Sequence, residues 1–245
     1  MRKPHVVGIL GGMGPAAGAD FARLFVSACA EHMRASGQVV SDQGFPEHWL
    51  AQIPVPDRSA ALDSPDLGAH QPLEPMLQVL SKLTALGAST VDMACNTAHA
   101  WHSALQERFP QLELLHVARE VASNLASCGT REVGLLATAG TYRTGFYGQA
   151  LHTVGVQCRI PQPHEQDILM HGVYQGVKAG NMTLARACFT QVAESLARRH
   201  GLSTLVLGCT EIPLALHGVP GLDVLSLVDP AVLLAKALAH RAYQV

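Results

Sequence analysis

The sequence predicts an α/β fold of two pseudo-symmetric lobes, each a parallel sheet flanked by helices, with the ligand ends of the lobes facing a cleft between them. Three observations predict it. Short apolar runs alternate with amphipathic stretches at helical spacing along the chain, the βα pattern of a parallel sheet covered on both faces. The opening comes round again: Glu132–Thr138, EVGLLAT, resembles HVVGILGG at His5–Gly12, and both meet a glycine turn. Each half also holds a strand that presents a cysteine at its carboxyl end, Cys95 in TVDMACNTAH and Cys209 in TLVLGCTEIPL.

The totals are consistent with this. A chain of 245 residues allows one large domain or two lobes. Hydrophobic residues at 48% against 15% charged supply a packed core and exclude a disordered chain. A net charge of −2 gives no electrostatic case for nucleic acid. The amino terminus, MRKPHVVGILGGMGP, is too brief and glycine-rich in its apolar run for a signal peptide, and no segment has the length of a membrane span. Six cysteines without a CxxC pair argue against a zinc site or a redox motif, and the expected location is the cytoplasm, where they stay reduced.

In chain order, His5–Leu10 reads as a strand running into Gly11, Gly12, Met13, Gly14 and Pro15. A helix over Ala16–Met33 follows, with Pro15 suited to its first turn. Ala35–His70 reads as loop, with a short strand near Trp49–Ile53 and Arg58 as its most interesting residue, since a guanidinium forks onto a carboxylate or lies solvated. Leu73–Leu86 is an amphipathic helix closed by Gly87. The Cys95 strand leads to a helix over Thr97–Phe109, then a strand over Leu112–Val117 and a helix over Ala118–Cys128. After the second glycine turn come a helix over Tyr142–Val154 and a strand over Val156–Pro161. Polar residues then precede a helix over Thr183–His200 capped by Gly201. The Cys209 strand, with Thr210 and Glu211 on its turn, leads to a strand over Asp223–Val228 and a helix over Pro230–Tyr243.

Side by side, the halves share an element order, which divides the chain into an amino-terminal lobe, 1–115 completed by 225–245, and a carboxyl-terminal lobe, 116–224. Facing lobes bring Cys95 and Cys209 together from opposite sides. Two opposed thiols suit chemistry that takes a proton from a carbon beside a carboxylate and returns one to the other face. A thiol's reference pKa of about 8.5 lies near enough to neutrality for an N–H group or helix start to yield thiolate. Backbone N–H groups around Asn96, Thr97 and Thr210 suit the developing charge on the carboxylate. The competing readings are buried cysteines that only pack, a disulfide, a single-nucleophile hydrolase, and a metal held by His99 and His102 one helical turn apart. Gly12, Gly14 and Ala17 also satisfy the degenerate dinucleotide pattern GxGxxG/A, which leaves both cysteines idle.

At GILGGMGP (Gly8–Pro15), IPVPDRSAAL (Ile53–Leu62), ACNTAH (Ala94–His99), GLLATAGTYRTGFY (Gly134–Tyr147) and GCTEIPL (Gly208–Leu214), the chain resembles the aspartate/glutamate racemase superfamily, in its cofactor-independent branch. The resemblance spans nearly the whole chain. It implies two pseudo-symmetric α/β lobes with the active site in the cleft between them. It also implies inversion of acidic amino acids by two bases, without pyridoxal phosphate or metal. By position it makes Cys95 and Cys209 the acid/base thiols, with Asn96, Thr97 and Thr210 holding the α-carboxylate or amino group. Met13 and Gly14 line the pocket, Arg58 and Lys178 are basic contacts to substrate carboxylates, and Thr138, Gly140 and Thr141 form a second polar turn. Glu211 stands among the substrate contacts where the glutamate branch has histidine, which points to the aspartate branch. Gly18 stands where threonine is usual, implying looser contacts near the first turn.

The function expected is therefore an isomerase, a racemase of aspartate, glutamate or a close relative, with no cofactor and a small acidic amino acid as its partner. No nucleic acid or membrane is expected, and the resemblance implies a homodimer. The alternatives are a hydantoin racemase or maleate isomerase-like enzyme using the same thiols, or a two-lobed binding protein that closes on an acid without turning it over.

Overall fold

Each half of the chain builds a four-stranded parallel sheet, and the two sheets share one strand order. In the computed structural model, which describes residues 4–63, 71–216, 218–219 and 221–244, the first sheet comprises β1 (Val7–Gly11), β2 (His48–Gln52), β3 (Thr90–Met93) and β4 (Glu113–Leu114), ordered β2-β1-β3-β4. The second comprises β5 (Glu132–Ala137), β6 (Gln157–Arg159), β7 (Thr204–Gly208) and β8 (Ser226–Val228), ordered β6-β5-β7-β8. Every pairing is parallel. The duplication read in the sequence is thus a duplication of topology. In each sheet the chain steps to one side of its first strand and then to the other, so the strand order reverses between β1 and β3 and again between β5 and β7. At such a reversal the loops leaving the strands diverge and open a crevice, the place where open α/β sheets bind ligands.

The chain divides into two compact units, Met1–Val117 with Ala231–Val245, and Ala118–Pro230. Because β8 pairs with β7, the second unit keeps that strand, and the chain returns to the first unit only with its last helix. β1, β3 and β7 are buried along their whole length, which is why they read as continuous apolar runs rather than alternating ones. Matching glycines, Gly8 on β1 and Gly134 on β5, leave room for side chains of neighbouring elements. A Cβ on Gly8 would lie 3.0 Å from Leu83 Cδ1, and one on Gly134 would lie 2.5 Å from Leu205 Cδ2 and 2.8 Å from Leu196 Cδ2.

In the first unit, α1 (Pro15–Ala35) starts on Pro15 and buries Ala17, Phe21, Phe25, Cys29 and Met33, one stripe at a spacing of four. α2 (Arg58–Asp63) is a short helix inside the stretch expected to be loop, whose last part, 64–70, lies outside the described residues. α3 (Leu73–Ala85) buries Met76, Val79, Leu80 and Leu83. The helix expected from Thr97 begins as a 3-10 turn, Thr97–Trp101, before α4 (His102–Arg108). α5 (Val117–Ser127) then enters the second unit.

In the second unit one expected helix is two, α6 (Ala139–Thr144) and α7 (Phe146–Thr153), broken where Gly145 turns left-handed at φ +67°. The polar stretch after β6 contains a further helix, α8 (Pro163–His171), capped by a Gln162/Glu165 box. Buried Glu165 also accepts hydrogen bonds from Ser195 and Arg199. Those two residues belong to α9 (Met182–His200), so the acidic residue that caps α8 also ties it to its neighbour. α10 (Glu211–Leu216) follows β7 directly, and α11 (Pro230–Tyr243) ends the chain against α1, where Tyr243 stacks on His32 with ring centroids 4.5 Å apart.

Candidate active site

The first unit's reversal point is built by the loops after β1, β2 and β3. Gly12, at φ +89°, is the tightest position: a Cβ there would lie 2.1 Å from the Ile53 carbonyl oxygen, so the chain leaving β2 rests on its bare backbone. Met13 is buried, and Gly14 is the N-cap residue of α1. Arg58 lies almost wholly buried at the start of α2. Its guanidinium donates to the carbonyls of Met13 (2.6 Å), Val55 (3.0 Å) and Pro56 (3.0 Å). It therefore clasps the loop after β1 to the loop after β2, so most of the fork expected for a substrate carboxylate already serves backbone carbonyls. The looser contacts expected from Gly18 are absent. Gln52 Oε1 lies 2.4 Å from where its Cβ would stand, and Gln52 Nε2 donates to Pro15 O at 3.0 Å, so a side chain from β2 fills the space.

Cys95 stands just beyond β3. The ladder to β1 runs one residue past the strand through Ala94 N–H to Leu10 O at 2.9 Å, and the Cys95 N–H then turns back onto Met93 O at 2.7 Å. The thiol is buried in one apolar cluster with Leu10, Met13, Val55, Met93 and Ala98. Asn96 and Thr97 follow, both buried, at the head of the 3-10 turn. The first unit thus places Met13, Gly14, Arg58, Cys95, Asn96 and Thr97 on the segments that leave β1, β2 and β3 at the reversal point.

Below them lies a group the sequence did not flag for this role. His99 Nδ1–H points at the carbonyls of Cys95 (3.0 Å) and Asn96 (3.2 Å), and His102 Nε2–H donates to Leu114 O at 2.9 Å. The His116 ring packs edge-on to both, with centroids 5.3 and 4.7 Å away. Burial, and then the neighbouring His116 and His102 rings, hold the His99 imidazole down at about 3, so it is neutral at physiological pH. His99 and His102 thus each aim a ring N–H at backbone. Among the described residues no group of three or more His, Cys, Asp or Glu is arranged to hold a metal ion.

In the second unit, Thr138 follows β5 and caps α6, its Oγ1 accepting from Thr141 N–H at 3.3 Å and lying 3.1 Å from Thr141 Oγ1. Gly140 and Thr141 are buried in that turn. Tyr142, which sequence reasoning passed over, braces the strand end: its hydroxyl accepts from Ala137 N–H at 2.7 Å and donates to Leu135 O at 3.0 Å. Burial, chiefly, holds its phenol well above the usual range, so it acts as a hydrogen-bonding strut. Its place between the glycine turn and the next glycine was the only signal in the sequence.

One strand over, Ala137 pairs with Gly208, and Cys209 follows, buried. Its thiol donates to Glu211 Oε2 at 3.0 Å, and the Thr210 hydroxyl donates to the same oxygen at 3.1 Å. Glu211, expected among the substrate contacts, thus turns its buried carboxylate onto the thiol, and α10 begins on it. Lys178 is exposed on a 3-10 turn that packs against α10, its Nζ 4.5 Å from the Tyr174 ring centroid. A cavity of about 600 Å³ in this unit, lined by residues of α8 and α9 such as His164, Arg186 and Ser195, includes none of these residues.

The family profile described as Asp/Glu/Hydantoin racemase matches residues 10–238. Glutamate racemase of Ectopseudomonas mendocina is 35% identical over 170 residues, 65% of this chain and 60% of that protein, so the alignment spans less than two thirds of that relative. The broad specificity amino-acid racemase RacX of Bacillus subtilis is 22% identical over 98% of this chain and 100% of its own. Among solved structures, Picrophilus torridus aspartate racemase superposes with a TM-score of 0.78 at 28% identity, covering 97% of this chain and 94% of the other. With the profile spanning nearly the whole sequence, the chain belongs to the Asp/Glu/Hydantoin racemase family.

Proposed function

We propose that the protein is a cofactor-independent racemase that inverts the α-carbon of aspartate, glutamate or a close relative, with Cys95 and Cys209 as its two acid/base groups. One observation carries the reading: in both units the interior strand beside the reversal point is followed directly, within two residues, by a buried cysteine. A fold that repeats its topology and repeats a thiol at the equivalent strand end is suited to treating one carbon from two sides.

In the proposed reaction the Cys95 thiolate removes the α-proton and becomes a thiol. The electron pair left on carbon spreads into the substrate carboxylate, where backbone N–H groups and polar side chains at Asn96, Thr97 and Thr210 receive the charge. Cys209 then gives its proton to the other face of the carbon and becomes a thiolate. Proton exchange with solvent, or a turnover in the opposite sense, restores both. In the second unit Glu211 Oε2 meets the Cys209 thiol at 3.0 Å and the Thr210 hydroxyl at 3.1 Å, so the thiol that returns the proton is held in place by its neighbour. We assign Met13, Gly14, Thr138, Gly140, Thr141 and Lys178 to the walls and rim of the substrate site, and expect a cytoplasmic homodimer.

The likeness to an aspartate racemase over nearly the full length of both chains supports an acidic amino acid. The end-to-end alignment with a broad specificity racemase supports a second, wider reading, in which several amino acids are turned over. The test is incubation with both enantiomers of aspartate, glutamate and a set of neutral amino acids and hydantoins in heavy water, read by chiral separation and mass. Inversion with solvent deuterium at the α-carbon of an acidic amino acid is expected. Binding without deuterium uptake in any compound would overturn the proposal in favour of a binding protein.

A further inference from the structure

We propose that His99 is the positioning residue of Cys95: its single imidazole N–H, shared between the carbonyls of Cys95 and Asn96, fixes the two peptide planes that set the thiol and the N–H groups beside it. The inference rests on the racemase reading for its rate measurements only.

The geometry carries it. Cys95 has just left the sheet ladder, so β3 no longer fixes its carbonyl, and the turn that follows is 3-10, a helix type of poorer hydrogen-bond geometry than an α-helix. His99 Nδ1–H reaches both carbonyls of this stretch, at 3.0 and 3.2 Å; the Asn96 carbonyl also accepts the turn's own bond from His99 N–H at 3.1 Å, so the ring adds most at the Cys95 carbonyl. A trans peptide sets its N–H opposite its C=O. Holding the Cys95 and Asn96 carbonyls towards the imidazole therefore turns the N–H groups of Asn96 and Thr97 the other way, away from the ring. Those are two of the groups assigned to the substrate carboxylate. The ring itself is fixed from behind by His102, whose own N–H is bound to Leu114 O at 2.9 Å, and by His116. A neutral imidazole suits the task, because a ring carrying two N–H groups would bring a second donor into a buried cluster of histidines.

Three variants separate positioning from packing. His99→Phe keeps a ring of similar volume without the donor. His99→Asn keeps an amide N–H near the place of Nδ1. His99→Gln moves it about one bond further out. Two quantities are measured on the folded full chain: α-proton exchange with the best substrate, split into kcat and KM, and the rate of Cys95 alkylation by iodoacetamide, with Cys209 as internal reference. In the Phe and Gln variants kcat should fall by about a hundredfold, the order expected for a displacement near 1 Å, with KM little changed. Cys95 alkylation should change by about fivefold or more. Asn should restore both, and Cys209 alkylation should stay at the wild-type rate in all three. Wild-type kcat and Cys95 alkylation in a folded Phe variant overturn the inference. Should the Phe variant not fold, equal behaviour of Asn and Gln overturns it and rescue by Asn alone supports it. If the wild-type protein exchanges no acid, the racemase reading has failed and the alkylation rates alone decide the role of His99.

Discussion

Acid should weaken this protein through His99, and the size of the effect follows from the structure. The imidazole titrates at about 3 in the folded chain and near 6.5 once unfolded. Burial comes first among the causes, with His116 and His102 adding to it. Because the folded value is depressed, the unfolded chain binds the extra proton throughout this interval, so stability is complete above about pH 6.5 and falls as the pH drops towards 3. At pH 5 the loss relative to pH 8 is about 2 kcal/mol from this one group, and at pH 3 it reaches about 4 kcal/mol. His99→Asn removes the titration while keeping a donor for the two carbonyls. Urea midpoints followed by far-ultraviolet circular dichroism at pH 5, 6.5 and 8 should fall steeply with acid in the wild type. They should fall less in the variant, by about 2 kcal/mol between pH 8 and 5. Parallel pH dependence in the two proteins would refute the assignment of a buried neutral imidazole.

Three further outcomes are expected. Glu211→Gln removes the carboxylate that meets the Cys209 thiol, and kcat/KM for proton exchange should fall by about 10² to 10⁴. Enantiomers have equal free energy, so chiral assays must show the same loss from both directions. Gly12→Ala places a Cβ 2.1 Å from the Ile53 carbonyl at φ +89°, whereas Gly145→Ala, at φ +67°, meets nothing within 4 Å. Thermal unfolding should show a cost of about 1–2 kcal/mol for the second and clearly more for the first. Burial raises the Glu165 carboxyl, but the bonds from Arg199, Ser195 and Gln162 N–H together outweigh it and hold the group at about 2. Its stabilisation is thus complete above about pH 4.5 and lost as the pH falls towards 2. Arg199→Ala should cost about 3 kcal/mol at pH 7 and much less at pH 2.5, read from denaturant midpoints.

How much of this the sequence revealed depended on how local the cause was. β1, β3, β5 and β7 were legible because strands buried on both faces leave continuous apolar runs, and the two cysteine turns because a polar residue interrupts such a run at its carboxyl end. The shared strand order was legible only as a likeness of element order, since register is set between strands rather than within them. α8 was missed because its polar residues hide its fixing point, buried Glu165, whose partners Ser195 and Arg199 lie 30 and 34 residues away. The sequence reads Thr210 and Glu211 as a turn and does not announce α10, which is six residues long and contains Pro213. Arg58 read as a ligand for an outside carboxylate because nothing in PVPDRS announces that Met13, 45 residues earlier, offers it a carbonyl. His99 shows the same limit at shorter range. Its spacing from His102 suggested a metal, and only the fold shows the ring N–H turned onto the backbone of Cys95.

The claim on which the rest depends is that two thiols share one reaction, and Cys95→Ser and Cys209→Ser test it most directly. Each variant, shown to be folded, is incubated with a single enantiomer of the best substrate in heavy water, beside the wild type. The wild type should place solvent deuterium in the product enantiomer while the recovered substrate keeps its proton, and each serine variant should lose inversion. Inversion at the wild-type rate in either variant, or deuterium entering recovered wild-type substrate as fast as product, would contradict it.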